Sequence, residues 1–233
     1  MYRKELNERS PLRIFENSIH GGLGRGNVGV VVARRGVGKT AFLVGVALDD
    51  LMRGRKVLHV ALRQPLYKVR EYYDGIFEDL AETSRLDDYH ATLQEVERNR
   101  NIHAYLGSTF SLQKLRSDIA LLREYADFTP AAILVDGVDF ESLTPETVAE
   151  FRSIARELDA EMWMSAVTHR ESAMNERGIP EPVAHLEPAV DVIVRLYHDG
   201  KAVHVHLLKD HDNPNVHEAG VALDPTTMLL KQG

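Results

Sequence analysis

An apolar run from Val28 to Val32 is followed at once by Ala33-Arg34-Arg35-Gly36-Val37-Gly38-Lys39-Thr40, and then by an apolar stretch from Ala41 to Met52. The first run is short, β-branched and bounded by glycines, which predicts a buried strand. The second ends at Gly54, a C-cap residue, which predicts a buried helix. Between them, Gly36 and Gly38 let successive backbone N–H groups converge without a Cβ in the way, and the positive end of the helix points at the same spot. A nucleoside triphosphate fits such a cradle. Lys39 is placed to reach the β- and γ-phosphates, and the Thr40 hydroxyl to ligate a bridging Mg²⁺. Arg34, Arg35, Gly36, Val37, Gly38, Lys39, Thr40 and Ala41 are therefore the candidate nucleotide-binding residues. Ala33 stands where the strict G-x-x-x-x-G-K-[ST] pattern has its first glycine. A glycine-rich turn that binds nothing is the bland alternative, and the flanking strand and helix weigh against it.

The rest of the chain alternates apolar strands with amphipathic helices. Strands are expected at Val57–Leu62, Ile102–Leu106, Ala131–Val135 and Met162–Val167. Helices are expected from Pro65 to Leu80, from Asp87 to Arg98, over Leu112–Leu122, and after the Thr144-Pro145 cap. This alternation predicts an α/β fold, a mostly parallel sheet with helices on both faces. Near the C-terminus, Val190–His198 and Lys201–Leu208 flank Asp199-Gly200, the signal for a two-residue hairpin. Short strands at Val221–Leu223 and Met228–Leu230 extend it. Arg170–Leu186 contains Gly178, Pro180 and Pro182 and no periodicity, so it reads as a long loop.

A chain of 233 residues, 44% of them hydrophobic, is large enough for one domain with a well-buried core. The expected division is a segment 1–20 and a single nucleotide-binding domain 21–233. No stretch of about 18 apolar residues exists and the start is polar, so a cytoplasmic, membrane-free protein is expected. The absence of cysteine excludes disulfides, thiol nucleophiles and thiolate-bound metals. Residues 1–56 hold 11 Lys/Arg against 5 Asp/Glu, so the acidic excess behind the net charge of −7 lies wholly beyond them. A basic region around the loop suits an anionic nucleotide. The acidic remainder disfavours a broad nucleic-acid surface, although single-stranded DNA stays open as a ligand.

A nucleotide–Mg²⁺ site needs a carboxylate from a second strand, and Ile133-Leu134-Val135-Asp136 supplies Asp136. Asp139 and Glu141 lie just beyond it. With these motifs placed, most of the chain, from about Ser10 onward, resembles the RecA-like ATPases, closest to the ATPase core of hexameric replicative helicases and the clock-protein and recombinase branch. The resemblance rests on Gly21-Gly22-Leu23-Gly24-Arg25-Gly26, Ala33–Thr40, Asp136 and the terminal hairpin. It implies ATP or ADP with Mg²⁺ as ligands and a homo-oligomer, a hexameric ring among the assemblies allowed.

Three departures from the family pattern bear on catalysis. The family's second strand ends in a glutamate that activates water, whereas Leu62 is followed here by Arg63. The strand after the magnesium aspartate ends in a glutamine or histidine in the family. Here it offers Ala166, with His169 as a distant substitute. The family's Lys-x-Arg finger, which reaches a neighbour's nucleotide, is Lys209-Asp210-His211, keeping Lys209 without the arginine. Lys39, Arg63 and Lys209 are thus the catalytic candidates, and slow hydrolysis is expected. Glu71 or Glu141 could take the base role from another direction, and Arg63→Glu is expected to raise turnover.

The expected function is a nucleotide-gated oligomeric regulatory or scaffold protein with a protein partner of unknown identity. The alternative is an active DNA-dependent motor, with a phosphotransferase as a third reading. His204 and His206 alternate on one strand at metal-ligand spacing, but a solvated face is favoured because no third ligand is spaced to join them. Trp163 and Met164 are expected in the core. Tyr2 and Phe15 either dock on a neighbouring subunit or cap the chain's own sheet.

Overall fold

The computed structural model describes every residue except Met1, Ser108 and His217. Met1, the first residue of the N-terminal segment, and His217, one of the histidines, lie outside the described residues. Sixteen regular elements follow one another along these residues. They are α1 Arg3–Glu8, α2 Leu12–Ser18, β1 Val28–Ala33, α3 Lys39–Met52, β2 Val57–Ala61, α4 Leu66–Ser84, α5 Tyr89–Asn99, β3 Arg100–Ala104, α6 Leu112–Ala126, β4 Ala132–Asp136, α7 Pro145–Glu157, β5 Glu161–Val167, β6 Val192–His198, β7 Val203–Asp210, β8 Val221–Leu223 and β9 Leu230–Gln232. The strands form one sheet in the order β3-β2-β4-β5-β1-β6-β7-β8-β9. From β3 to β6 all neighbours are parallel, and from β6 to β9 they are antiparallel. This is the α/β sheet with a C-terminal antiparallel extension that the sequence pattern implies.

Continuous apolar strands mean that both faces of the parallel sheet are covered. Along β1, Val31 and Ala33 face a cluster built with α2, α3, α4 and α5, while Val28, Val30 and Val32 face another built with α6 and α7. Gly29 lies between these positions for a steric reason. A Cβ there would come within 2.6 Å of the Trp163 ring on the neighbouring strand. Trp163 in turn packs against Phe42 of α3 and Phe15 of α2, with ring centroids 6.0 and 6.1 Å away. Phe15 therefore sits in this chain's own core and is 2% exposed, whereas Tyr2 is exposed.

Four local expectations change in the structure. The hairpin turn spans Asp199 to Ala202, because His198 pairs with Val203, and the Asp199 carboxylate accepts the amides of Lys201 and Ala202 at 2.8 and 2.9 Å. An Asx-type turn thus displaces the two-residue turn suggested by Asp-Gly. The strand expected at 102–106 begins at Arg100, and the last strand begins at Leu230. The segment 170–186 lacks periodicity yet is folded down. Ile179, Val183 and Leu186 are fully buried, and a 3₁₀ turn spans Ala184–Ala189. Its apolar residues pack individually, so no repeat betrays them. The helices α1 and α2, too short for a periodic signal, are held by an arginine network. Arg13 bonds to Glu16 and Asp49, and Arg53 bonds to Asn7, Glu16 and Asp49. Among the described residues, no helix is long and apolar enough to cross a membrane.

Candidate functional site

Strands β1, β2, β4 and β5 run parallel, so their C-terminal ends share one edge, where α/β sheets place ligands. The loop after β1 turns there through Gly36 and Gly38, with φ of 77° and 115°, a region that side chains with a Cβ rarely enter. Lys39 opens α3 immediately afterwards, which points the positive end of a 14-residue helix into the cleft. The Lys39 amine donates to the carbonyls of Ala33 and Arg34 at 3.0 and 2.9 Å. Burial pushes its pKa down, partly offset by the Asp136 carboxylate. Exposed Arg34 and Arg35 make no ion pair among the described residues, so two free cations flank the loop.

The second half of the site comes from β4. Thr40 Oγ1 donates to Asp136 Oδ2 at 2.7 Å, and Ser165 Oγ on β5 donates to Asp136 Oδ1 at 2.5 Å. Ser165 also accepts the Gly137 amide at 2.9 Å, which fixes the chain as it leaves β4. Gln64 Nε2 lies 3.3 Å from Thr40 Oγ1 and 3.4 Å from Asp136 Oδ2. Thr40 and Asp136 are both buried and present hard oxygen donors, the donor type Mg²⁺ requires. Together these groups wall a cleft of about 240 Å³, which also reaches Tyr72 and Val167. A second cleft, about 340 Å³, shares Arg35, Gly36 and Met228 with the first and continues over Val37, Val203 and Pro225 to His198.

The remaining candidates are distributed differently from the expectation. Arg63 is exposed and turned along the surface, with Nε donating to the Gly137 carbonyl at 3.0 Å and Nη2 3.7 Å from Asp139. Its stem lines the cleft while Gln64 reaches into it. Ala166 is buried on the opposite face of β5, among Met162 and Met164, so Val167 takes the strand-end position beside the loop. The two-residue alternation of a strand decides this. His169 is exposed and 3.8 Å from Glu141, and Glu71 is paired with Lys68 on the surface of α4. Lys209 stands beside Ile193 near the start of β6, the end of the sheet away from the loop. Its amine donates to the Glu187 and Val190 carbonyls at 2.8 and 2.7 Å, and burial lowers its pKa. His204 bonds to Asp199, and no group of three or more metal-ligating side chains occurs among the described residues.

No protein-family profile matches the chain, and no curated protein matches it in sequence. Among solved structures, the ATPase domain of a replicative helicase matches with a TM-score of 0.68 at 18% identity, covering 92% of this chain and 87% of that one. The chain has the RecA-like ATPase fold. At this identity the likeness establishes architecture, and the chemistry of the RecA-like site rests on its own residues. Gln64 and Ser165 are functional neighbours that the sequence reading does not single out. Ser165 leaves a trace, a lone hydroxyl inside the apolar run Met162–Val167, whereas Gln64 beside Arg63 leaves none.

Proposed function

We propose that this RecA-like chain binds a Mg²⁺-complexed nucleoside triphosphate, ATP with ADP as its product, at the β1–α3 loop. The observation that carries the reading is the meeting of Thr40 and Asp136 within 2.7 Å beside the buried Lys39 amine at the N-terminus of α3. Lys39 and the loop amides bind the phosphates, and Arg34 and Arg35 add positive charge. Thr40 and Asp136 hold the hydrated Mg²⁺, which screens phosphate charge and orients the terminal phosphoryl group. The adjoining cleft over Val37, Val203 and Pro225 receives the base. Among the described residues, no carboxylate free of other partners faces the phosphate cleft, since Asp136 is engaged by Thr40 and Ser165. Hydrolysis is therefore slow, which suits an oligomeric, nucleotide-gated regulatory or scaffold role better than a motor. The test is calorimetric titration with ATP and ADP, with and without Mg²⁺, beside phosphate release with and without single-stranded DNA. Tight Mg²⁺-dependent binding with slow, DNA-insensitive turnover supports the reading. DNA-stimulated turnover favours the motor, and absence of nucleotide binding overturns both.

A further inference from the structure

The chain leaving β2 is clamped before it reaches the cleft. Leu62 donates its amide to the Asp136 carbonyl at 2.9 Å, and Pro65, in extended conformation, starts α4 three residues later. Arg63 and Gln64 sit between these fixed points and diverge. The Arg63 side chain packs over Gly137, where a Cβ would meet its Cγ at 3.1 Å, and its guanidinium runs to the Gly137 carbonyl and Asp139. The half-buried Gln64 side chain turns inward to the Thr40–Asp136 pair. At 3.3 and 3.4 Å these two contacts are long for N–H···O bonds, so the amide can give them up at little cost.

Resting on the nucleotide-binding reading above, we propose that Gln64, and not Arg63, is the residue that detects the terminal phosphate and positions the attacking water. A primary amide can accept a hydrogen bond from water through Oε1 while donating to a phosphate oxygen through Nε2, whereas a guanidinium only donates. Asp136 and Ser165 cannot take this part while they satisfy each other and Thr40. In the step, the water oxygen forms a bond to the γ-phosphorus as the bond from that phosphorus to the β,γ-bridging oxygen breaks. The electron pair leaves on the diphosphate of ADP. The water proton passes to an oxygen of the transferred phosphoryl group, so Gln64 neither gains nor loses a proton. The amide orients and does not abstract, which keeps turnover slow and free of a carboxylate titration.

The experiment compares the parent, Gln64→Ala, Gln64→Glu and Arg63→Ala by calorimetry with Mg²⁺–ADP and a slowly hydrolysed Mg²⁺–ATP analogue, and by phosphate release against pH. Loss of one neutral hydrogen bond corresponds to roughly a five-fold weakening. Gln64→Ala is thus expected to bind the triphosphate analogue about five-fold more weakly, to keep its ADP affinity, and to lose residual turnover at least about ten-fold. Gln64→Glu is expected to turn over faster than the parent, with a rate that rises as the new carboxyl ionises. Unchanged triphosphate affinity and turnover in Gln64→Ala overturn the assignment. So does a loss confined to Arg63→Ala. If the parent binds neither nucleotide, the nucleotide-site reading fails with it, and the parent titration alone reveals that case.

Discussion

Thr40 Oγ1 donates to Asp136 Oδ2 at 2.7 Å across a sequence separation of 96 residues. The two residues belong to elements that do not adjoin in the sheet, since β5 lies between β4 and the β1 strand that leads into α3. Ser165 on β5 spans that interval by holding the other Asp136 oxygen. The carboxylate is therefore oriented at both oxygens before any ligand arrives, and a cation entering beside Thr40 meets a site that needs little rearrangement.

Asp136→Asn removes the charge but keeps the shape. Nucleotide binding in this variant is expected to lose most of its dependence on Mg²⁺, while binding measured in chelator changes little. Isothermal titrations of both proteins with ATP, with magnesium or with EDTA, check this. An undiminished magnesium effect would place the cation elsewhere.

Lys39→Ala deletes a charge-assisted contact worth about 1.5–3 kcal/mol, so ATP affinity is expected to fall by about ten- to two-hundred-fold. The amine also caps the Ala33 and Arg34 carbonyls, so a small loss of thermal stability without nucleotide should accompany it. Equal ATP affinity in the two proteins would remove the phosphate site from this loop.

The family resemblance gives Lys209 a role across a subunit boundary, but its amine here is committed to two carbonyls of its own chain. Lys209→Met preserves the aliphatic stem and leaves those carbonyls unpaired, at a cost of about 1–3 kcal/mol, or several degrees of melting temperature. Light scattering on parent and variant with an ATP analogue and with ADP tests the other role, because an assembly bridged by Lys209 grows with ATP in the parent alone. A stability loss with unchanged assembly confines Lys209 to its own chain.

The parallel sheet is legible in the sequence because its strands are unbroken apolar runs and its loop has a fixed chemical grammar, as at Val28–Thr40 and Ile133–Asp136. What escapes such a reading depends on contacts distant in sequence. Gln64 matters only because Leu62 is pinned to Asp136 and throws Arg63 outward. Ala166 and Val167 exchange places once strand alternation is counted from Ser165 facing Asp136. The short helices α1 and α2 carry too few turns to show a period, and they are held by Arg13, Arg53 and the burial of Phe15.

Beneath those helices lies a crowd of carboxylates whose ionisation should tilt stability with pH. Glu161, at the start of β5, has its pKa pushed up to about 7, first by burial and then by Asp50. Asp49 is likewise raised to about 7, by burial against the pull of Arg13. A carboxyl that holds its proton more tightly when folded adds stability that is complete below its unfolded value, near pH 4 to 4.5, and is lost as the pH rises through about 7. Glu161 has no hydrogen-bonded side-chain partner among the described residues, so Glu161→Gln removes the cost of ionising it without breaking a pair. At pH 8 the variant is expected to be about 1–2 kcal/mol more stable than the parent, which is a few degrees in melting temperature, with the gain shrinking towards pH 5. Buried His59, whose pKa falls to about 4, slopes stability the opposite way below pH 6.5, but equally in both proteins. Thermal melts of the pair at pH 5, 6.5 and 8 decide the matter. A stability difference that stays constant across that range would mean that Glu161 does not titrate near neutrality in the folded protein.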